Sequence, residues 1–281
     1  MARTAKPQAG ALSRRRMFPG AIRAMWAGLL AAAMLAGCAE PGPATARDRI
    51  TPSDQTDAER RAKVRIELAS AYFSRGQAEV ALDEIKQAIA AKPDSAEALS
   101  LRGLIYASLG EEALALQSFQ QSLKLNPRDP DTLHNYGWYL CQRRQFAEAA
   151  TQFAAALSTP QYNGAVRTLL AQGVCMARND EWLPAERALS RAYELDPSNP
   201  VVAVNLSEVL MRRGELDRAR FYIRRVNSVP ELVSAQTVWL ATRIEHRLGN
   251  AAGVRELGHL LRARFPQSPE ALQMERGRFD D

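Results

Sequence analysis

Few side chains in this 281-residue sequence stand where they could do chemistry. The three histidines, His134, His246 and His259, do not lie at metal-ligand spacing from a cysteine or from one another on one helix. The sequence has no glycine-rich phosphate loop, no nucleophile elbow and no credible Ser, His, Asp order. Adjacent carboxylates such as Glu111 and Glu112 stand beside a turn, where a solvated helix start explains them better than acid–base catalysis. The sequence therefore predicts a protein that is not an enzyme and that binds no metal and no cofactor.

The first of the three cysteines, Cys38, ends a predicted targeting segment. Arg14, Arg15 and Arg16 precede an uncharged apolar run over residues 24–36, which is too short to span a bilayer and is typical of a signal peptide. The run closes in Leu-Ala-Gly-Cys, which resembles the bacterial lipobox. The resemblance implies cleavage before Cys38 and lipidation of its thiol, whereas an ordinary secretory peptide with a chance cysteine is the alternative. Residues 1–37 are therefore predicted to be a lipoprotein signal peptide.

A lipidated Cys38 would anchor the mature chain to a membrane without spanning it. Residue 39 is Ala and not Asp, and by resemblance to enteric lipoproteins this favours the outer membrane. Residues 38–58 are rich in Pro, Thr, Ser and Asp with few large apolar side chains, which predicts a flexible tether. The folded domain is predicted to occupy residues 59–281.

Charge argues against a nucleic-acid partner. The formal net charge is +6, from 37 Lys and Arg against 31 Asp and Glu. Residues 1–37 carry six of the basic residues and none of the acids, so the rest of the chain is formally neutral. The electrostatic basis for binding phosphates therefore disappears once the signal peptide is removed.

The remainder of the chain repeats with a period of about 34 residues. Small residues recur in register, and each is followed by a larger apolar one at the i+4 position, so both lie on one helical face. Turn glycines separate two helical halves of each unit, and an X-Pro pair closes several units. The small residues are Ala81, Ala115, Ala149, Ala185 and Ala219, the larger ones are Ile85, Phe119, Phe153, Leu189 and Ile223, and the glycines are Gly76, Gly110, Gly214 and Gly249.

These features resemble the tetratricopeptide repeat. The resemblance implies an all-α solenoid of about six helix-turn-helix units that form a right-handed superhelix with a concave, partner-binding groove. The predicted units are about 62–95, 96–129, 130–163, 166–199, 200–233 and 235–268, with an insertion around residues 158–164. Asp129-Pro130, Asn199-Pro200 and Ser268-Pro269 are predicted helix starts, and the last opens a short terminal helix that ends near Arg276.

Cys141 and Cys175 stand one repeat period apart, on the first helices of adjacent predicted units. A disulfide is one interpretation, because the chain is predicted to reach an oxidising compartment. Two buried thiols are the other, because neighbouring helices can hold Cα atoms farther apart than a bridge allows. The sequence leaves both open.

The run Asn-Tyr-Gly-Trp-Tyr-Leu-Cys over residues 135–141 crowds aromatic residues onto one first helix. Trp138 falls at a repeat position that usually faces the groove, and packing against the insertion near Tyr162 is the alternative. With the lipobox, the tether and six repeats, this run resembles the type IV pilus biogenesis and stability lipoproteins of the PilF/PilW family. That resemblance implies a monomeric outer-membrane pilotin that binds the type IV pilus secretin and promotes its localisation and multimerisation.

Repeat positions give a set of candidate groove residues. Each apolar member is as well explained by packing against a neighbouring helix, and the set as a whole is interpreted as the partner-binding groove. A general scaffold or adaptor lipoprotein in another envelope complex would use the same surface. The candidates are Ile66, Ser70, Phe73, Leu104, His134, Trp138 and Leu170.

Overall fold

A computed structural model describes residues 56–279. The predicted signal peptide, the lipidation site Cys38 and nearly all of the predicted tether lie outside these residues. The described part of the chain is all-helical, with thirteen α-helices, one short 3₁₀-helix at Pro230–Leu232 and no strand. None of its helices is long and apolar enough to cross a bilayer. The helices are α1 (Asp57–Ser74), α2 (Ala78–Ala91), α3 (Ala96–Ser108), α4 (Glu112–Leu125), α5 (Pro130–Gln142), α6 (Phe146–Leu157), α7 (Ala165–Arg178), α8 (Trp182–Leu195), α9 (Pro200–Arg212), α10 (Leu216–Asn227), α11 (Ala235–Arg247), α12 (Ala251–Arg264) and α13 (Pro269–Glu275).

The first twelve helices pack as six helix-turn-helix units, as predicted, and α13 follows them. The odd-numbered helix of each pair is called the first helix of its unit. The predicted register of the small and large residues is confirmed, because all ten side chains are fully buried in the described structure. The handedness of the superhelix stays a prediction.

A glycine in the first helix lets the large residue of the second helix approach in units two to four. A Cβ atom added to Gly137 would lie 2.9 Å from Cδ1 of Phe153, which is closer than real Cβ contacts. Gly103 stands in the same relation to Phe119. The ring therefore packs directly on the backbone of the first helix, and interior packing of this density tolerates no added methyl group without a shift.

The turns between the paired helices need a left-handed residue. Gly110 has a φ of 77°, and glycine adopts this conformation without steric cost. Arg144 and Asp180 take the same place in units three and four with φ values of 60° and 58°. The missing glycines at these two turns therefore do not interrupt the repeat.

Polar side chains cap the helix starts that the Asx-Pro and Ser-Pro pairs predicted. Asp129 Oδ2 accepts from the Thr132 amide at 2.8 Å, Asn199 Oδ1 accepts from the amide of Val202 at 3.2 Å, and Ser268 Oγ accepts from that of Ala271 at 3.1 Å. Such caps satisfy amides that a helix leaves without partners. The first helix starts at Asp57, slightly before the predicted start of the folded domain at residue 59.

Two buried carboxylates join the later units, which the sequence patterns did not predict. Glu186 in α8 pairs with Arg218 in α10 at 2.7 Å, which ties unit four to unit five. Glu245 in α11 pairs with Arg224 in α10 at 2.7 Å, which ties unit five to unit six. Each carboxylate has a second arginine partner, so the charge of both buried carboxylates is compensated. These partners are Arg213 for Glu186 and Arg220 for Glu245.

The terminal helix closes the stack in place of a seventh unit. Ala271 of α13 is only 1% exposed, and the Met274 side chain packs against Gly258 of α12. The predicted terminal helix is therefore confirmed and ends at Glu275. Capping of this kind shields the apolar face that the last unit would otherwise expose.

The helix register predicts the outcome of one matched pair of variants. Ala149→Leu places a larger side chain at a fully buried contact and should lower the free energy of unfolding by roughly 1–3 kcal/mol. Ala154→Leu on the exposed side of the same helix should change it by less than about 0.5 kcal/mol. Urea unfolding followed by circular dichroism measures both, and equal effects would contradict the register.

Candidate protein-binding groove

The first helices of units one to four line an open cavity of about 510 Å³, called here the groove cavity. It crosses α1, α3, α5 and the start of α7, so four successive units contribute to one surface. Three of the predicted groove residues, Ile66, Ser70 and Leu104, line it. The complete lining is Ile66, Ser70, Glu97, Ser100, Leu101, Leu104, Asp129, Asp131, Asn135 and Arg167.

Carboxylates form one side of the groove cavity. Asp129 caps α5, and Asp131 Oδ1 pairs with Arg167 Nη2 at 2.5 Å. Glu97 is exposed as a residue, yet partial burial of its carboxyl group and the nearby carboxylates of Asp129 and Asp131 raise its pKa. An approaching cation would relieve this repulsion, so the cavity favours a positively charged group beside an apolar wall.

Repeat spacing could have identified these charged residues. Glu97, Asp131 and Arg167 lie in the first turns of three successive first helices, at equivalent positions of their units. Within one helix such residues give no sign of a groove position, because charged residues in a first turn are usually solvated and interact with the helix dipole. Their shared register nevertheless places them along one edge of the groove.

His134, one of the predicted groove residues, is held between helices. It is 8% exposed, and its Nδ1 atom lies 3.0 Å from Thr168 Oγ1 in α7. Burial, helped by the positive charge of Arg167, lowers its pKa to about 4, so the ring is neutral at pH 7. The structure therefore gives His134 a packing role between α5 and α7.

The other predicted groove residues are partly buried. Phe73 packs against the apolar cluster of units one and two, and Leu170 packs against clusters that extend from unit four to unit six. Trp138 lies under the Arg178 guanidinium, whose carbon is 5.1 Å from the ring centroid. A cation over a tryptophan face stabilises the pair. Trp138 also packs against the buried cluster that contains Phe119 and Phe153. Tyr162 of the insertion places its Oη 3.0 Å from Thr168 Oγ1.

Cys141 and Cys175 form a disulfide in this structure, with Cα atoms 5.8 Å apart. Both residues are nearly fully buried, at 1% and 3% exposure. The bond joins α5 to α7, which carry Asp131 and Arg167 of the groove cavity. It therefore links two of the three helices that carry the charged edge of the groove.

Comparisons with known proteins agree with this architecture. Models of the tetratricopeptide repeat match residues 66–130 and 118–151. The crystal structure of PilW, described as a widely conserved type IV pilus biogenesis factor, is 30% identical, with a TM-score of 0.70 over 76% of this chain and 98% of that one. The chain belongs to the PilF/PilW family of type IV pilus tetratricopeptide-repeat proteins.

Two sequence relatives and a second solved structure are also similar to this chain. The type IV pilus assembly protein PilF of Pseudomonas aeruginosa is 24% identical over 157 residues, which cover 56% of this chain and 62% of that protein. An uncharacterised Haemophilus influenzae protein is 28% identical over 101 residues, 36% of this chain and 56% of that protein. These alignments thus span less than two thirds of either relative. A structure of P. aeruginosa PilF, 20% identical with a TM-score of 0.66, covers 79% of this chain and 100% of that one and shows the same fold.

The PilF/PilW fold is typical of protein-interaction scaffolds, which present stacked first helices to a partner. Within residues 56–279 no group of three or more His, Cys, Asp or Glu side chains could hold a metal ion. The groove cavity lies on the first-helix surface of units one to four.

The disulfide predicts a thiol count and a loss of stability. In a Cys38→Ser chain, alkylation under denaturing, non-reducing conditions should label no cysteine, and prior reduction should expose two thiols. Replacing Cys141 and Cys175 with Ala should lower the free energy of unfolding by about 3 kcal/mol, because the open chain gains entropy in the unfolded state. Mass spectrometry and urea unfolding measure these effects, and two labelled thiols without reductant would contradict the bond.

Proposed function

We propose that this chain is an outer-membrane pilotin that captures the type IV pilus secretin on its groove and promotes secretin localisation and multimerisation. One observation carries the proposal: a cavity shared by four successive first helices, in a chain that matches PilW over nearly all of that protein's length. A continuous surface of this kind suits an extended or helical protein segment better than a small substrate.

The groove cavity defines the chemistry of the segment that it would take. Ile66, Leu101 and Leu104 supply apolar surface, and Glu97 supplies a carboxylate whose charge its surroundings disfavour. A partner segment with apolar side chains and one Lys or Arg would cover this apolar surface and neutralise the Glu97 carboxylate. We therefore propose that the bound secretin segment is apolar and carries a basic residue next to Glu97.

Cross-links between units prepare the groove for binding. The disulfide holds α5 to α7, and the Asp131–Arg167 pair joins the same two helices at the rim. Tyr162 extends this rim, because its hydroxyl lies 3.0 Å from Thr168 Oγ1 and 3.4 Å from Asp131 Oδ1. Groups that are already ordered lose less entropy on binding, so the groove keeps more of its contact energy as affinity.

The proposed lipid anchor at Cys38 is supported by the residue pattern of the sequence. Cys38 follows a basic and then apolar leader in the residue pattern of a lipobox, and the segment 39–55 separates it from the cap of α1 at Thr56. A tether of this length would reach at most roughly 60 Å when extended. The folded units could therefore stand away from the lipid surface while the acyl chains hold the captured secretin at the outer membrane.

A charge reversal in the groove tests the proposal. Glu97→Lys should weaken capture of detergent-solubilised secretin by the purified full chain by about tenfold or more, because like charges would face each other in the cavity. Glu79→Lys makes the same charge change on the exposed side of α2 and should leave capture unchanged. Biolayer interferometry measures both affinities.

The outcomes separate the candidate functions. Equal affinities of the wild type and Glu97→Lys would place secretin binding elsewhere on the chain. No secretin capture by the wild type would contradict the pilotin function and favour an adaptor lipoprotein in another envelope complex.

A further inference from the structure

Residues 277–279, which follow α13, return to the surface of the last unit. After α13 ends, Gly277 takes a φ of 63° and reverses the backbone. The amide of Gly277 donates to the carbonyl of Met274, and the amide of Arg278 donates to that of Gln273, each at 3.1 Å. These bonds close the helix and direct Phe279 towards α11.

Phe279 is recognised through both its ring and its backbone. The ring stacks on His246 with centroids 4.1 Å apart and on Trp239 with centroids 5.5 Å apart. The backbone carbonyl of Phe279 accepts a hydrogen bond of 3.1 Å from Arg243 Nε. An aromatic contact together with a main-chain hydrogen bond is how a protein holds an extended peptide.

The three α11 residues lie on the face that forms the groove in the preceding units. Asn199 and Ser234 cap α9 and α11, and Gly214 and Gly249 end the turns after them, so the caps and the turns give the same register. In this register Arg243 is equivalent to Glu208, and its Nη1 atom lies 3.6 Å from Glu208 Oε1. The same alignment, extended through α7 to α5, makes Trp138 the equivalent of Arg243. Trp138 is one of the predicted groove residues.

Closing the solenoid does not require this contact. Ala271 and Met274 of α13 already cover α11 and α12, and they precede the turn at Gly277. Residues 277–279 add a separate contact on the first-helix face, where Phe279 stays partly exposed. A purely capping role therefore accounts for α13 but leaves the position of Phe279 unexplained.

We propose that Trp239, Arg243 and His246 form an aromatic-binding subsite at the C-terminal end of the groove, and that the chain's own Phe279 occupies it as an intramolecular ligand. The subsite takes an extended peptide segment that carries an aromatic side chain. A tethered ligand acts at a high effective concentration, so the tail competes with any such segment of a partner. The proposal does not require that the partner be a secretin.

A labelled copy of the tail tests this directly. The probe is a fluorescein-labelled peptide with the sequence of residues 276–281, Arg-Gly-Arg-Phe-Asp-Asp. A chain shortened to end at Arg276 should bind it at least tenfold more tightly than the full chain, and Phe279→Ala in the full chain should also increase binding. Fluorescence anisotropy measures each affinity, and circular dichroism checks that both variants keep the wild-type helix content.

Matched controls distinguish the subsite from general charge attraction. A peptide with Ala in place of Phe should bind the shortened chain at least tenfold more weakly than the probe. Trp239→Ala in the shortened chain should cause a similar loss. Equal binding of the two peptides, or no gain when the tail is removed, would overturn the proposal.

Discussion

In units two to four the pairing of helices depends on one contact, in which a large apolar side chain of the second helix packs on a glycine of the first. Phe153 lies so close to Gly137 that a Cβ atom there would be 2.9 Å from its ring. This contact sets the distance between paired helices, and the buried alanine beside it sets the distance to the next unit. Because the contact recurs with a nearly constant period, the first helices align in a row, and the groove is the surface of that row.

The groove chemistry follows from this alignment and not from any one helix. Residues in equivalent first turns become neighbours, which brings the carboxylate of Asp131 to the guanidinium of Arg167 and places Glu97 beside them. The disulfide between Cys141 and Cys175 joins the same two helices from positions two residues out of repeat register, because the equivalent of Cys141 in α7 is Ala177. The alignment therefore explains how the groove is charged, and the disulfide adds a covalent link between two of its helices.

Local features of this protein were predictable, and contacts between units were much less so. The register of Ala149 and Phe153, the cap at Asp129 and the terminal helix at Pro269 follow from spacing and from short-range hydrogen bonding. His134 was placed in the groove because repeat position alone does not tell how far a ring turns towards the next helix. The Phe279 contact had no local signal, because its partners lie on α11, two helices before α13 in the chain.

The most direct test of the pilotin account measures the secretin in cells. SDS-resistant secretin multimers are quantified in separated outer and inner membranes of cells that carry the wild-type chain, the Cys38→Ser chain or none. The account predicts that multimers in the outer membrane are lost without the chain and are depleted with Cys38→Ser, because capture without an anchor cannot deliver the secretin. Normal outer-membrane multimers in cells without the chain would contradict it.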